Sequence, residues 1–192
     1  MRDVSAMALY SILRAQGADF LFYTPTGIYH PADSRRVAFF CDYNRMAIEQ
    51  GSRPVALEPF ESLFDAGRLR EPVLKAFLHA EDRGFIDDVR RWIEAEPGLD
   101  CVQSMSDSLD IMPAGISKGQ AARRLLDYYG IEPEALAVFG DHDNDVSMMA
   151  IAGLSFGMSN GSPLALAACA HVAPANEADG VAVMIERYIL NP

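Results

Sequence analysis

The sequence predicts an α/β protein built on a parallel sheet, preceded by a separate α+β unit. Three observations carry that prediction. Residues 117–189 alternate between helical and strand patterning at the short intervals of βα units. Residues 20–30 and 99–112 instead read as pairs of strands joined by tight turns. Finally, the apolar run Ala135–Phe139 leads straight into Gly140-Asp141-His142-Asp143-Asn144-Asp145. That is a carboxylate cluster at the carboxyl end of a strand, where open α/β sheets bind their ligands.

The elements follow in order. Val4–Gln16 shows a helical apolar face of Met7, Tyr10 and Leu13 and stops at Gly17. Phe20–Tyr23 and Ile28–His30 flank Thr24-Pro25-Thr26-Gly27, a turn with proline and glycine in workable positions. A helix is expected around Tyr43–Gln50, while Glu58–Leu69 fits no single pattern. Pro72–Ala80 reads as a strand, and Asp82–Ala95 as a helix presenting Phe85, Val89 and Trp92. Leu99–Met105 and Ser108–Met112 read as two strands around a tight turn, and Pro113-Ala114-Gly115 as a hinge. Beyond it come helix 117–129, capped by Ser117 and ended by Gly130, and strand 135–139. Helix 144–151, strand 154–157, helix 162–169, strand 170–173 and helix 178–189 complete the alternation.

Composition narrows the function classes. A net charge of −11 argues against nucleic acid or an anionic membrane as partner. No stretch approaches the roughly 18 apolar residues of a membrane helix. Residues 6–13 are too short, and lack the basic flank, for a signal peptide. Cys41, Cys101 and Cys169 are scattered and odd in number, which suits a reducing cytoplasm and small buried apolar roles.

The acidic loop carries the chemistry. Unpaired carboxylates are costly to bury, so Asp141 and Asp145 need a cation or hydrogen-bond donors. A magnesium ion facing a phosphate supplies the cation. The alternative is a polar loop in which Asp141 or Asp143 caps the next helix. Asp141, Asp143 and Asp145 do not make a calcium loop, because the required glycine is missing. Lys118 lies 23 positions earlier, in the first turn of a helix, where the macrodipole opposes its charge. A phosphate gathered by the ammonium and the helix N-terminus accounts for that position; an exposed surface lysine is the plain alternative.

These pieces form an ordered set: Gly115-Ile116-Ser117-Lys118-Gly119, Gly140-Asp141-x-x-Asn144-Asp145 with Met148-Met149, and Ala152-Gly153. Gly157-Met158-Ser159-Asn160-Gly161 and Ala175-Asn176-Glu177-Ala178-Asp179-Gly180 follow. Residues 114–183 thereby resemble the C-terminal part of a Cof-type phosphatase of the haloacid dehalogenase superfamily, the branch with a large cap. The resemblance implies a remnant of a Rossmann-like core over 114–192 and an α+β cap over 2–113 that selects the substrate. It implies a phosphoaspartate route in which Lys118 serves catalysis and binds the phosphate. Asp141 and Asp145 would hold Mg2+, and Asn144 and Asn176 would support the phosphate site. The substrate class would be a small phosphorylated metabolite, such as a sugar phosphate or a nucleotide-related cofactor.

The family's nucleophile motif, Asp-x-Asp-Gly-Thr, does not occur in this chain. Asp42 follows an apolar run but lacks the second aspartate and the Gly-Thr; Asp107 and Asp110 are wrongly spaced, and Asp3 is isolated. About two βα units, at roughly 30 residues each, are therefore expected to be missing from the front. The 192 residues alone are expected to be inactive. Strand 135–139 would lie at a bare sheet edge, which favours a homodimer, a covering segment or poor solubility. A truncated, non-catalytic protein binding a ligand or partner is the alternative, and an acidic domain with a structural metal is a third. His142 sits within the motif without a role of its own, and Asp179 is expected to cap the last helix. His30, His79 and His171 share no metal-ligand spacing and read as strand-end residues.

Overall fold

The computed structural model describes residues 1, 3–65, 68–105 and 107–191. The chain forms two compact units, Met1–Ala114 and Gly115–Pro192. In the first lie α1 (Asp3–Ala15), β1 (Asp19–Tyr23), β2 (Ile28–His30), α2 (Arg36–Glu49) and β3 (Leu57–Pro59). Next come α3 (Phe60–Leu63), β4 (Phe64–Asp65), β5 (Arg68–Leu69), β6 (Lys75–His79), α4 (Arg83–Ala95), β7 (Leu99–Met105) and β8 (Ser108–Pro113).

Six of these strands form one sheet in the order β3-β2-β1-β6-β8-β7. All its pairs are antiparallel except β2 with β3. The hairpin between β1 and β2 is closed by Thr24, whose amide donates to Gly27 O at 2.9 Å. Gly27 is required there, since a Cβ would stand 2.7 Å from the Ala56 carbonyl oxygen. The turn joining β7 to β8 includes Ser106, which lies outside the described residues, as do Ala66 and Gly67 in the ambiguous stretch 58–69.

Alternation along the strands sends Phe20, Phe22, Ala76, Leu78, Leu109 and Ile111 to one face, where they share a core with α1 and α4. Both helices are turned slightly from the expected faces. The most deeply buried positions are Ala6, Leu9 and Leu13 on α1, and Ile86, Val89 and Ile93 on α4. Phe85, Trp92 and Tyr10 pack at the margins instead. Compact aliphatic side chains occupy the closest approach to the sheet, and the larger rings fill the flanks, as Tyr10 does against Phe20, Phe60 and Phe64. Asp82 caps α4 by accepting from the Gly84 and Phe85 amides.

The sheet's other face carries Leu21, Ile28 and Phe77, with Tyr23, Phe40, Val55 and Leu57 against them. Helix α2 begins at Arg36, well before the expected Tyr43. Its sequence hides it, because only Ala47 is buried while Phe39, Tyr43, Met46 and Ile48 are exposed. No amphipathic stripe marks it as helical.

The second unit contains α5 (Lys118–Tyr129), β9 (Ala137–Gly140), α6 (Val146–Met149), β10 (Leu154–Met158), α7 (Pro163–Ala168), β11 (His171–Ala173) and α8 (Gly180–Ile185). A three-stranded sheet, ordered β11-β10-β9, is parallel throughout. Ser117 caps α5 by accepting from the Gln120 amide at 3.1 Å, and Gly130 ends it with φ 63°. The expected strand 135–139 is displaced, because Pro133–Ala135 forms a 3-10 turn and the strand begins at Ala137. Helix 144–151 is likewise a 3-10 turn, Asp143–Asp145, leading into the short α6. Asp179 stands at the start of α8 in the left-handed conformation with no side-chain capping bond, so it is not the expected cap.

Cores form on both sides of this sheet: Phe156, Met158, Ala173 and Met184 on one, Val138, Met149 and Ala165 on the other. Close approaches fix the layers. A Cβ on Gly153 would meet the Glu134 carbonyl oxygen at 2.0 Å, and one on Gly119 would meet that of Ser147 at 2.1 Å. Among the described residues, β9 lies at an edge of the sheet. Cys41 is exposed, against expectation, whereas Cys101 and Cys169 are partly buried and pack against the apolar cores of their units.

Candidate active site

Three loops leave the carboxyl ends of β9, β10 and β11, and they meet because all three strands run the same way. The loop after β9 is wound tightly around one carboxylate. Asp145 is 4 % exposed, and its Oδ2 accepts from the amides of Asp141 at 3.0 Å and His142 at 3.1 Å. Gly140 makes this possible, since a Cβ there would stand 2.4 Å from that of Asp145. The loop is thereby closed by a side chain of its own.

Lys118 reaches the same carboxylate from the first turn of α5, where its ammonium donates to Asp145 Oδ1 at 2.6 Å and to Asn144 Oδ1 at 3.2 Å. The lysine that the macrodipole disfavours is therefore offset by a buried carboxylate. Its own side chain remains half-exposed, so the ammonium's third N–H is left for a ligand. Helix α5 is held at this distance by Gly119, whose amide donates to Ser147 Oγ at 3.0 Å. Burial by itself would raise the Asp145 carboxyl. The Lys118 ammonium and the His142 and Asp141 amides outweigh burial and hold it below the ordinary 3.8.

Asp141 is differently placed. Its carboxylate is about two-fifths exposed, and Oδ2 receives a hydrogen bond from Asn176 Nδ2 at 3.3 Å. Asn176 is anchored in turn, its amide donating to Asn160 Oδ1 at 3.3 Å. The Asp141 backbone is pinned where its carbonyl accepts from the Ser162 amide at 2.8 Å. Asp143 accepts from Ser162 Oγ at 2.6 Å. His142 Nε2 stands 3.9 Å from Asp141 Oδ2.

The structure thus brings Lys118, Asn144 and Asp145 into direct contact, and joins Asn176 to Asp141 across two loops. Sequence reasoning gave no role to Asn160, although it lies in the quoted Gly157–Gly161 motif, and did not single out Ser147 and Ser162; these three orient the others. Ser162 also had a signal, a serine directly before a proline at a helix start, whereas Ser147 had none.

Magnesium takes oxygen ligands, keeps several waters, and is commonly held by one or two carboxylates together with substrate phosphates. Asp141 fits that pattern. Asp145 is buried and both its oxygens are already hydrogen-bonded, so it would meet an ion only through a remaining lone pair. Among the described residues, no group of three or more His, Cys, Asp or Glu side chains is arranged to hold a metal ion. The donor set suits an ion completed by water and phosphate.

The chain as a whole resembles known proteins. Residues 1–185 match the family model for haloacid dehalogenase-like hydrolases. The chain belongs to that family. A Bacillus subtilis 5-amino-6-(5-phospho-D-ribitylamino)uracil phosphatase, YitU, is 30 % identical over 133 residues, covering 62 % of this chain and 46 % of that protein. The Arabidopsis thaliana protein named chloroplastic endoribonuclease YBEY is 38 % identical over 98 residues, 50 % of this chain and 17 % of its own length. This chain therefore spans about half, or less, of these curated relatives. In fold, a haloacid dehalogenase-like hydrolase from B. subtilis superposes with a TM-score of 0.80 at 23 % identity, covering 96 % of this chain and 70 % of that one. As a member of the family, the chain is an α/β protein whose relatives include named phosphatases. Among the described residues, no helix is long and apolar enough to cross a membrane.

Proposed function

We propose that this chain carries the phosphate- and cation-binding side of a magnesium-dependent phosphatase acting on small phosphorylated metabolites. The observation that carries the reading is the Lys118 ammonium, held by Asn144 and Asp145 of the loop that also carries the partly exposed Asp141, at the carboxyl ends of parallel strands. Lys118 supplies N–H donors to phosphate oxygens and Asn144 fixes its direction. Asp145 braces both the lysine and the loop. Asn176, anchored on Asn160, orients Asp141, the residue that would hold magnesium.

Charge supports the ion. The loop carries Asp141, Asp143 and Asp145 against one lysine, Lys118, which touches Asp145; these four groups sum to a charge near −2 that would repel a phosphate dianion without a divalent cation. Bound there, magnesium would neutralise charge on the phosphoryl oxygens. The family reading adds a phosphoaspartate route, and the attacking aspartate has no counterpart among these site residues. Asp145 is committed to Lys118 and two amides, Asp143 to Ser162, and Asp141 to the cation. The substrate proposed is a phosphate monoester of a small metabolite, by similarity to the ribitylaminouracil phosphatase.

The test is release of phosphate from an aryl phosphate with magnesium. It compares this chain, the chain preceded by a segment carrying Asp-x-Asp-Gly-Thr, and the extended chain with Asp141→Ala. Turnover is expected only from the extended chain with Asp141 intact, because losing a nucleophile costs many powers of ten. Robust turnover by the 192 residues, abolished by Asp141→Ala, would place the nucleophile here, with Asp42 the next residue to examine. An inactive extended chain would favour a non-catalytic, ligand-binding protein.

A further inference from the structure

Helix α2 turns a row of large apolar side chains away from the core it helps to cover. Phe39, Tyr43 and Met46 stand four and three residues apart, so they share one side of the helix. They are 65 %, 50 % and 58 % exposed. Phe40 and Ala47 turn inward instead, Phe40 onto the cluster of Leu21, Ile28 and Phe77. Beside the row, an open groove of about 500 Å³ continues the apolar surface from Phe39 and Tyr43 to Tyr23, Pro25 and Val55. Single exposed apolar residues are ordinary on a protein surface, whereas a contiguous set marks a contact site.

The helix itself indicates what covers the row. Alternating steps of four and three residues are the spacing of a helix–helix seam. The row is symmetric about a point between Asp42 and Tyr43. An antiparallel copy of α2 therefore lays Phe39 against Met46 of the second copy and brings the two Tyr43 rings near the two-fold axis. The polar edge of the row agrees. Arg35, Asp42 and Glu49 lie seven residues apart along it, and all three are exposed. Antiparallel pairing sets Arg35 opposite Glu49 of the second copy, twice over. Asp42 meets its own counterpart near the axis, with the Arg45 guanidinium 2.9 Å away in the same chain to neutralise it. Parallel pairing would instead set Arg35 and Asp42 against Phe40 and Ala47. An acidic partner helix would be repelled by Glu49 and a basic one by Arg35.

We propose that α2 is a self-docking surface, through which two copies of this chain associate as an antiparallel helix pair about a two-fold axis. Helix α2 has 14 residues and is about 21 Å long. Two such faces with their flanking turns bury on the order of 1,000 Å², at the lower limit of specific interfaces. Association is therefore expected at micromolar concentrations. The proposal is independent of the phosphatase reading, since no residue of α2 belongs to the candidate site.

The test is disulfide trapping and sedimentation of the whole chain. Asp42→Cys combined with Cys41→Ser is expected to cross-link in air, because position 42 faces its counterpart across the axis. The native Cys41 is exposed on the far side of α2 from the row, so the wild type is expected to stay unlinked. In sedimentation equilibrium, Arg35→Glu and Glu49→Arg are each expected to weaken association at least fivefold. The double variant re-forms the pair with its signs exchanged and is expected to restore it. These side chains are exposed, and Trp92 fluorescence checks that the first unit stays folded in each variant. A monomer at micromolar concentration, cross-linking through Cys41 in place of position 42, or a double variant no better than the single ones would overturn the proposal. So would an assembly indifferent to both charge reversals, which is the behaviour expected of association through the edge of β9 alone.

Discussion

Replacing Asp145 with asparagine should destabilise the second unit by about 2 kcal/mol without disturbing the first. The carboxylate serves three donors: Lys118 through Oδ1, and the Asp141 and His142 amides through Oδ2. Truncation to alanine would strand both amides, at about 1–3 kcal/mol each where water cannot reach them. It would also remove an ion pair worth about 1 kcal/mol, because the lysine is half-exposed. Asparagine preserves volume, which matters beside Gly140, and its oxygen can still serve the amides. Its NH2 group, however, faces an ammonium with two donors opposed, so the expected cost falls between the ion pair and the alanine case. The assay is hydrogen exchange at β10 amides, with fluorescence of the sole tryptophan, Trp92 in α4, as a control for the first unit. Acid supplies a second readout. The folded carboxyl lies below the ordinary 3.8, so its stabilisation is complete above about pH 5 and lost as pH falls through the folded value. Asparagine does not titrate, so the gap between wild type and variant should be constant from about pH 5 to 7 and narrow below about pH 4. A gap below about 0.5 kcal/mol at neutral pH, or one that persists in acid, would refute the assignment of Asp145 as the brace of this loop.

Other outcomes follow from the same geometry. Lys118→Met should weaken inorganic phosphate binding in the presence of magnesium at least tenfold by calorimetry, while leaving helix content unchanged by circular dichroism. Gly153→Ala should cost about 1–3 kcal/mol, because the added carbon meets the Glu134 carbonyl oxygen at 2.0 Å and the backbone must shift; exchange at β9 and β10 amides checks this. Asp82→Ala should remove a helix cap and lower the stability of the first unit by about 1 kcal/mol, seen in Trp92 fluorescence during urea unfolding. Light scattering should show self-association of the 192 residues through the edge of β9, and a stable monomer would remove that expectation.

Much of the α/β architecture was legible in the sequence because its signals are local. Ser117 and Gly130 mark the ends of α5 through a side-chain cap and a left-handed glycine, and the structure uses both. Strands β9, β10 and β11 announce themselves as short apolar runs between helical segments. What failed was set by tertiary packing. Helix α2 buries one alanine and exposes four large apolar residues, so its pattern carries no core-facing stripe. Helices α1 and α4 are rotated because small side chains must meet the sheet, a demand that periodicity alone does not express. Asp179 sits where a cap belongs, but its left-handed backbone turns the side chain from the task.

The candidate site divides along the same line. Spacing and residue type selected Lys118, Asp141, Asn144, Asp145 and Asn176, yet two carboxylates four residues apart look alike in a sequence. Folding separates them. Asp145 turns inward because Gly140 leaves it room and two amides of its own loop point at it, while Asp141 stays at the surface with its backbone pinned by Ser162. A buried, bridged carboxylate cannot easily exchange its partners for a cation, whereas an exposed one oriented by a single amide can. The division of labour proposed here, Asp141 for magnesium and Asp145 for the lysine, follows from that difference in solvation. It predicts opposite signatures for the two variants. Asp141→Asn should lower magnesium-dependent phosphate binding with stability unchanged, whereas Asp145→Asn should lower stability first. If Asp141→Asn instead destabilised the unit as much as Asp145→Asn, both carboxylates would be structural, and the magnesium role proposed for Asp141 would fall.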